Sequence, residues 1–335
     1  MILKKKKMNF LITGGAGYIG SHVANLLIDK NYNVVVIDNL SRGSIKLVPK
    51  KSYFYKCDIS NNKKIIYILK KHKIDVVFHF AGYKDVEESN KFPNRYIKNN
   101  FIKSKNFIKN CIKNDFNKFI FSSSASVYGN INKKILKETD KLKPSSVYGK
   151  TKLKLEKYLI DCGKKYKIKY VILRYFNVAG ADPKLRAGLI TKSNNNLIKN
   201  IANVMNNKKK EFIINGNDYD TTDGTTVRDY IHVSDLADIH YRSMKYLLKS
   251  NKSNIFNCGY GQGFTVMDAI NIAKKLANKK FKITIGPRRK NDIEKSVARV
   301  NKIKKYIKWK PKYNDLKKII ISSYKWEVKS SKFMI

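Results

Sequence analysis

Cysteine, proline and acid are what this chain has little of. Four cysteines (Cys57, Cys111, Cys162, Cys258) and six prolines are spread over 335 residues, with no CxxC pair, and the five histidines form no HExxH. A disulfide framework and a zinc site are therefore not expected, no metal is assigned, and a reducing, cytoplasmic setting is expected. No apolar run approaches the ~18 residues of a membrane helix, so neither a span nor a membrane partner is expected. Acidic residues number 25 against 71 basic ones, a formal net charge of +46. That excess is mostly Lys, scattered through nearly every segment beside Asn and Ile. Such scatter reads as compositional drift and not as one basic face. Arg is the better fork for phosphates and base edges, so specific nucleic-acid binding is not expected. Lys4 to Lys7 resemble the charged start of a leader, but no adequate apolar stretch and cleavage site follow. Residues 1–7 are read as a solvated basic tail, with the folded chain starting near Met8.

What is present is a rhythm. The apolar run from Asn9 to Thr13 is stopped by glycines and reads as a buried strand. Ile19 to Lys30 carries Val23, Leu26 and Leu27 at helical spacing, and Asn33 to Ile37 is a second β-branched run. Strand, helix and strand within about 30 residues make a βαβ unit. The pattern continues with strands at 53–55, 74–80, 118–122 and 170–174, and with helices at 63–72, 96–112 and 148–162. Ile97, Phe101, Ile108 and Ile112 form the apolar stripe of the helix over 96–112. The prediction is an α/β fold with a Rossmann-type doubly wound parallel sheet, binding its ligand at the strands' carboxyl ends. After Gly180 the rhythm weakens into Asn- and Gly-rich stretches between shorter elements. The expected organisation is a cofactor domain over 8–180, with a returning segment near 227–258, and a smaller α/β substrate domain over 181–335.

Two groups of residues carry chemistry. Gly14, Gly17 and Gly20 follow the first strand and open a helix. Glycines at that spacing serve a tight turn, close approach to a pyrophosphate and helix–strand packing, and the helix start offers N–H groups to phosphate. Asp38 ends the second strand, 18 residues beyond Gly20. A carboxylate there accepts from both adenine-ribose hydroxyls and repels a 2′-phosphate, which favours NAD over NADP. Farther along, Tyr148 and Lys152 form YxxxK on a helix, where residues four apart share a face. The ammonium of Lys152 is expected to lower the Tyr148 pKa, so that the phenol can take a proton from a sugar hydroxyl and return it. Ser124, at the end of the preceding strand, can hydrogen-bond the same hydroxyl.

These residues resemble the extended short-chain dehydrogenase/reductase family, and within it the UDP-hexose 4-epimerases. The matching stretches include TGGAGYIGSH (13–22), VVVIDNLS (34–41), FSSSASVYG (121–129), VYGKTK (147–152), RYFNVAGADP (174–183), NNL (195–197), NDYDTTDGTTVRDYIHVSDLAD (217–238) and PRRKND (287–292). They run from Asn9 to about residue 312. The resemblance implies interconversion of UDP-glucose and UDP-galactose, in galactose metabolism, by transient oxidation at C4 with tightly held NAD. Tyr148 would be the base, with Lys152 and Ser124 beside it. It implies cofactor contacts from Tyr18, Ile19, Asp38, Asn39, Asp58, Ile59, Phe80, Ala81, Gly82, Lys84, Asn99 and Phe176. Nucleotide-sugar contacts would come from Asn177, Asn196, Leu197, Arg228, Arg289 and Asp292, the two arginines matching the diphosphate. It also implies a homodimer through helices 96–112 and 148–162.

The sequence departs from the family pattern mainly around the substrate. Asn291 replaces a usual Gly, Arg299 a usual acid, Asn215 a large apolar residue, Glu87 a small residue and Leu189 a usual Glu. Ser296 stands where a bulky gatekeeper is common, and its small side chain leaves UDP-GlcNAc/UDP-GalNAc interconversion as an alternative. Ala125 and Ser126 occupy the place of the acid pair that dehydratases use, which disfavours that reaction. A basic binding protein on a retired scaffold is the remaining alternative, and the intact Ser124, Tyr148 and Lys152 argue against it.

Overall fold

The computed structural model describes residues 7–131, 135–191, 196–277, 282–289 and 292–331. Most of the basic tail, Asn195 and Asn291 lie outside the described residues. The first half of the chain alternates as β1 (Asn9–Thr13), α1 (Tyr18–Asp29), β2 (Asn33–Asp38), β3 (Tyr53–Lys56), α2 (Asn62–Lys71), β4 (Val76–His79), α3 (Val86–Lys91), α4 (Pro93–Tyr96), α5 (Ser104–Lys113), β5 (Lys118–Ser124), α6 (Val147–Tyr166) and β6 (Lys169–Tyr175). The second half holds β7 (Asn177–Ala179), α7 (Leu197–Met205), β8 (Glu211–Asn215), β9 (Val227–Arg228), β10 (Tyr230–His232), α8 (Val233–Ser250), β11 (Asn254–Cys258), β12 (Phe264–Thr265), α9 (Val266–Ala277), β13 (Lys282–Gly286), β14 (Lys295–Ser296), α10 (Asn301–Ile307) and α11 (Leu316–Ser331).

The parallel sheet expected from the sequence is present, with seven strands in the order β11-β6-β5-β4-β1-β2-β3. Strand order reverses between β4 and β1, which creates the crevice where such sheets bind ligands. The sheet is apolar on both faces because helices cover both. Leu11, Val35, Val77, Phe119 and Ile172 pack with residues of α2, α5 and α6 on one side. Phe10, Ile12, Val34, Val36, Phe78, Ile120 and Val171 pack with residues of α1 and α8 on the other. β11 closes one edge of the sheet although it follows the weaker-patterned stretch, pairing with β6 from Asn254 to Cys258. β7 pairs with β10, β9 sits between β12 and β14, and β8 pairs with β13. Among the described residues no helix is long and apolar enough to cross a membrane, and no group of three or more His, Cys, Asp or Glu could hold a metal ion.

Two local findings differ from the sequence reading. The helix expected over 96–112 is not uniform: Ile97–Lys103 is a π-helix between α4 and α5. Periodicity misses this, since an apolar stripe looks much the same through one widened turn. The π-segment buries the Asn100 side chain, which accepts from Tyr83 N at 2.8 Å and donates to Tyr83 O at 2.8 Å. Wide turns of this kind recur at functional sites. The strand expected to stop at Ser122 runs on to Ser124, so the serine at issue is the last residue of β5.

β5, α6, β6 and β11 are locked by a buried polar cluster. Arg174 Nη2 donates to Glu156 Oε2 at 2.7 Å with both side chains under 4% exposed. Arg174 Nε donates to Glu156 Oε1 at 3.1 Å, and Ser123 donates to that same oxygen. Arg174 Nη1 donates to the Tyr128 hydroxyl at 3.0 Å and to Glu138 O at 3.1 Å, and Tyr128 donates in turn to Asn257 Oδ1 at 2.6 Å. A buried charge pair is tolerable only when its remaining donors and acceptors are met in this way.

Candidate active site

The glycine loop turns from β1 into α1 with Gly14 in the left-handed region at φ +72°. A Cβ there would stand 2.7 Å from Ala81 N, and one at Gly20 would stand 2.5 Å from Gly14 O. These glycines let loop, helix and the segment after β4 come together. Gly17 is the N-cap of α1; no side chain caps the helix and no acid lies in its first turn. The N–H groups of Tyr18, Ile19 and Gly20 are therefore offered to an anion, as a dinucleotide pyrophosphate requires. Asp38 ends β2, its two oxygens accepting from Ala16 N at 3.1 Å and Leu40 N at 2.8 Å. Burial pushes its pKa up, against those two bonds. Asn39 donates to Asp58 at 2.8 Å, and Lys103 donates to the same carboxylate oxygen at 2.7 Å. Hydrogen bonds from Lys103, Ser60 and Asn39 hold the Asp58 carboxyl well below the usual carboxylate range, against its partial burial. Ile59 is buried beside it. On the other side of the loop, Phe80 N donates to Thr13 O at 3.0 Å, Ala81 abuts Gly14, and Gly82 lies against the Asn100 side chain. Asn99 reaches the same asparagine, donating to its Oδ1 at 3.1 Å. The residue set fits NAD: uncapped amides, glycines at the close contacts and a carboxylate at the ribose end of β2.

Ser124 and Tyr148 meet at the carboxyl end of β5. Ser146 caps α6 by accepting from Gly149 N at 3.0 Å, which starts the helix beside β5. Tyr148 N donates to Ser89 Oγ at 3.0 Å, so α3 also fixes this turn. The Ser124 side chain is near enough to the phenol to lower its pKa, while the Ser124 hydroxyl itself donates to Ser126 Oγ at 3.1 Å and accepts from Ser126 N at 3.1 Å. The expected role of Lys152 in tuning the phenol needs correction. Lys152 Nζ donates to the Ser122 carbonyl at 2.7 Å and lies 5.8 Å from the centre of the Tyr148 ring. Burial raises the Tyr148 pKa above its ordinary value, and the neighbouring Ser124 side chain opposes it. Burial in turn pushes Lys152 down to about 8, with Glu156 one helical turn on pulling it back up. Lysine and phenol thus share a face, but the fold spends the ammonium on a backbone carbonyl.

The residues read as sugar-nucleotide contacts fall into three places. Arg228 and Ser296 are directly paired between β9 and β14. Arg228 does not pair with the acid beside it, Asp229. Its Nη2 donates to Asp292 Oδ1 at 2.6 Å, while Asp229 is buried and accepts from Tyr260 N, Gly261 N and Ala298 N. Arg289 lies 3.7 Å from Glu87 of α3, so the substituted Glu87 meets one of the two candidate diphosphate ligands. Asn196 caps α7, accepting from Lys199 N at 2.9 Å, with Leu197 the first residue of that helix. Phe176 N donates to Cys258 O at 3.0 Å, and the exposed Asn177 follows it with N donating to Asp229 O at 2.9 Å.

Sequence reasoning missed Lys199. Tyr18, Gly180, Asn196 and Lys199 line one small cavity, and Tyr18 donates to Gly180 O at 2.6 Å. Lys84 Nζ lies 5.9 Å from the Tyr18 ring, and burial pushes its pKa down to about 8, helped by the charge of Lys199. Lys199 itself is held by Glu327 of α11 at 2.9 Å. No motif marks a lysine on the first turn of α7, and its charge partner is 128 residues away.

With this geometry in hand, comparison with known proteins is direct. A sequence model of the NAD dependent epimerase/dehydratase family matches residues 10–259. A UDP-glucose 4-epimerase of Halalkalibacterium halodurans is 38% identical over 319 residues, 95% of each chain. The crystal structure of a UDP-glucose 4-epimerase from Stenotrophomonas maltophila, with bound NAD and formylated UDP-arabinopyranose, superposes with a TM-score of 0.94 at 33% identity, covering 97% of this chain and 99% of that one. A UDP-Glc/GlcNAc 4-epimerase from Campylobacter jejuni is 38% identical with a TM-score of 0.84, covering 96% of this chain and 99% of its own.

Proposed function

The chain belongs to the NAD dependent epimerase/dehydratase family, and we propose that it interconverts UDP-glucose and UDP-galactose at C4 of the hexose. NAD is its cofactor, and when bound it supplies reversible oxidation at that carbon. The observation that carries the reading is the buried Tyr148 phenol beside Ser124 at the carboxyl end of β5, with Lys152 Nζ 5.8 Å from its ring, beside the crevice that the glycine loop and Asp38 border. In this reading Tyr148 takes the proton of the sugar O4 hydroxyl and later returns it. Ser124 hydrogen-bonds the same hydroxyl and eases ionisation of the phenol. Lys152 holds the end of β5 through Ser122 and so positions Ser124 beside the phenol. The amides at the start of α1, with Asp38, Asn39 and Asp58, hold the dinucleotide, while Arg228 and Arg289 answer the diphosphate of the sugar nucleotide. Residues 8–180 with β11 act as the cofactor domain and most of 181–335 as the sugar-nucleotide domain.

Incubating purified protein with UDP-galactose, without added cofactor, and resolving products by chromatography tests this. UDP-glucose should accumulate to equilibrium; no conversion even with added NAD would end the proposal. Ser296 supports a second substrate pair. It is buried beside Arg228 with only a hydroxymethyl side chain, and UDP-GalNAc run in the same assay measures whether the pocket admits an N-acetyl group.

Arg228 has a specific expected effect. Arg228→Met removes a guanidinium fork and leaves Asp292 without its partner, so charge-assisted bonds worth a few kcal/mol are lost on binding. Steady-state kinetics should give a KM for UDP-galactose raised roughly 10- to 100-fold, with a smaller change in kcat. An unchanged KM would remove Arg228 from the diphosphate site. A second copy is proposed to pack on the face formed by 96–112 and 148–162, beside which Phe92 and Ile102 stand exposed at 54% and 46%. Light scattering should give twice the mass of 38.8 kDa, and Ile102→Lys should shift it toward one chain. A wild-type mass of one chain would reject the dimer.

A further inference from the structure

Two arginines outside the described chemistry, Arg42 and Arg95, gather on one carboxylate and one ring beside the crevice. Arg42 follows β2, and Glu88 lies on α3 after β4. The two form an ion pair, and Arg95 donates to the same Glu88 oxygen at 3.1 Å. The Tyr96 hydroxyl donates to the other oxygen at 2.9 Å. The centre of the Tyr83 ring is 5.4 Å from the Arg42 guanidinium and 5.0 Å from that of Arg95, with its edge against Tyr96 at 5.5 Å.

Topology says what this cluster crosses. β1 lies between β2 and β4 in the sheet, and the glycine loop leaves the carboxyl end of β1. A bridge from the segment after β2 to the segment after β4 therefore spans that loop, where the pyrophosphate of NAD is held. We infer that Arg42, Glu88 and Tyr83 form a strap across the cofactor crevice that sets how slowly NAD leaves.

The two halves of the strap differ. The Glu88 half is anchored: Asn100 grips both backbone polar groups of Tyr83 at 2.8 Å, and Arg95 and Tyr96 fix the carboxylate. The Arg42 half hangs on the turn after Asp38, where Leu40 adopts φ +59° and the Arg42 side chain is 52% exposed. Opening needs only the release of Arg42 from Glu88 and from the Tyr83 ring. A single exposed ion pair contributes little, but a cation stacked on an aromatic ring adds to it. Pairing with Glu88 also keeps Arg42 from answering a 2′-phosphate, in line with the choice of NAD by Asp38.

The inference rests on NAD binding and not on which sugar is turned over. Its test is the rate at which bound NAD leaves the full-length protein, followed by rapid desalting at intervals and absorbance of the released nucleotide. Arg42→Ala and Glu88→Gln should each release NAD roughly tenfold faster than wild type. The double variant should release NAD more slowly than the product of the two single effects would give, because both single changes remove the shared Arg42–Glu88 contact. Raising salt should speed release in wild type and much less in Arg42→Ala. Equal release rates in wild type and Arg42→Ala would overturn the strap. So would slower release in Glu88→Gln, since that result would mean a freed Arg42 grips the phosphates directly. Wild-type protein that neither carries nor takes up NAD would overturn both the strap and the cofactor assignment.

Discussion

Tyr148→Phe lowers turnover of UDP-galactose by roughly 10³-fold, within the range that a positioned acid–base group contributes, and leaves NAD bound. Removing one oxygen deletes the proton acceptor beside Ser124, but it touches neither the glycine loop nor Asp38. Cofactor content after purification should therefore match wild type, which separates loss of chemistry from loss of the site. Ser124→Ala gives a related result with a definite sign. Burial raises the Tyr148 pKa and the nearby Ser124 hydroxyl lowers it. Without that hydroxyl burial acts unopposed, the phenol ionises at higher pH, and the acid limb of the rate profile moves up. A Tyr148→Phe protein with near-wild-type turnover would remove this residue as the base.

The largest structural effect is expected from Arg174→Met. The side chain is isosteric enough to keep the space filled, but it leaves Glu156 at 1% exposure without its partner. An unpaired buried carboxylate costs roughly 3–5 kcal/mol. Urea titration followed by circular dichroism should show that loss, and the double change Glu156→Leu with Arg174→Met should recover most of it. The strands that carry Ser123 and Arg174, and the helix that carries Tyr148, are fixed through this pair, so activity should fall with stability. A loss below ~1 kcal/mol, the scale of an exposed pair, would mean the cluster is not a structural lock.

The parallel sheet was legible because its strands are short β-branched runs cut by glycines, with amphipathic helices between them. The glycine loop was legible because phosphate binding constrains backbone type at fixed spacing, and Gly14 and Gly20 do meet backbone atoms where a side chain could not. What stayed hidden depends on residues far apart in the chain. Arg228 finds Asp292 at 2.6 Å, 64 residues on, and not the acid beside it. The Arg42–Glu88 bridge joins segments after two different strands. The π-helix over Ile97–Lys103 was invisible to a stripe that tolerates one wide turn. Tyr148 and Lys152 show the limit most clearly. Spacing put them on one face, but no spacing reports burial, which acts on both groups at once, or the Ser122 carbonyl that takes the ammonium.

The measurement that bears most directly on the account follows the hydrogen on C4. UDP-galactose deuterated at that carbon, incubated with the purified protein in ordinary water without added cofactor, should yield UDP-glucose that keeps the label at C4. Product whose label has washed into solvent would mean the stereocentre is inverted by proton exchange and not by oxidation and return, and would contradict the mechanism.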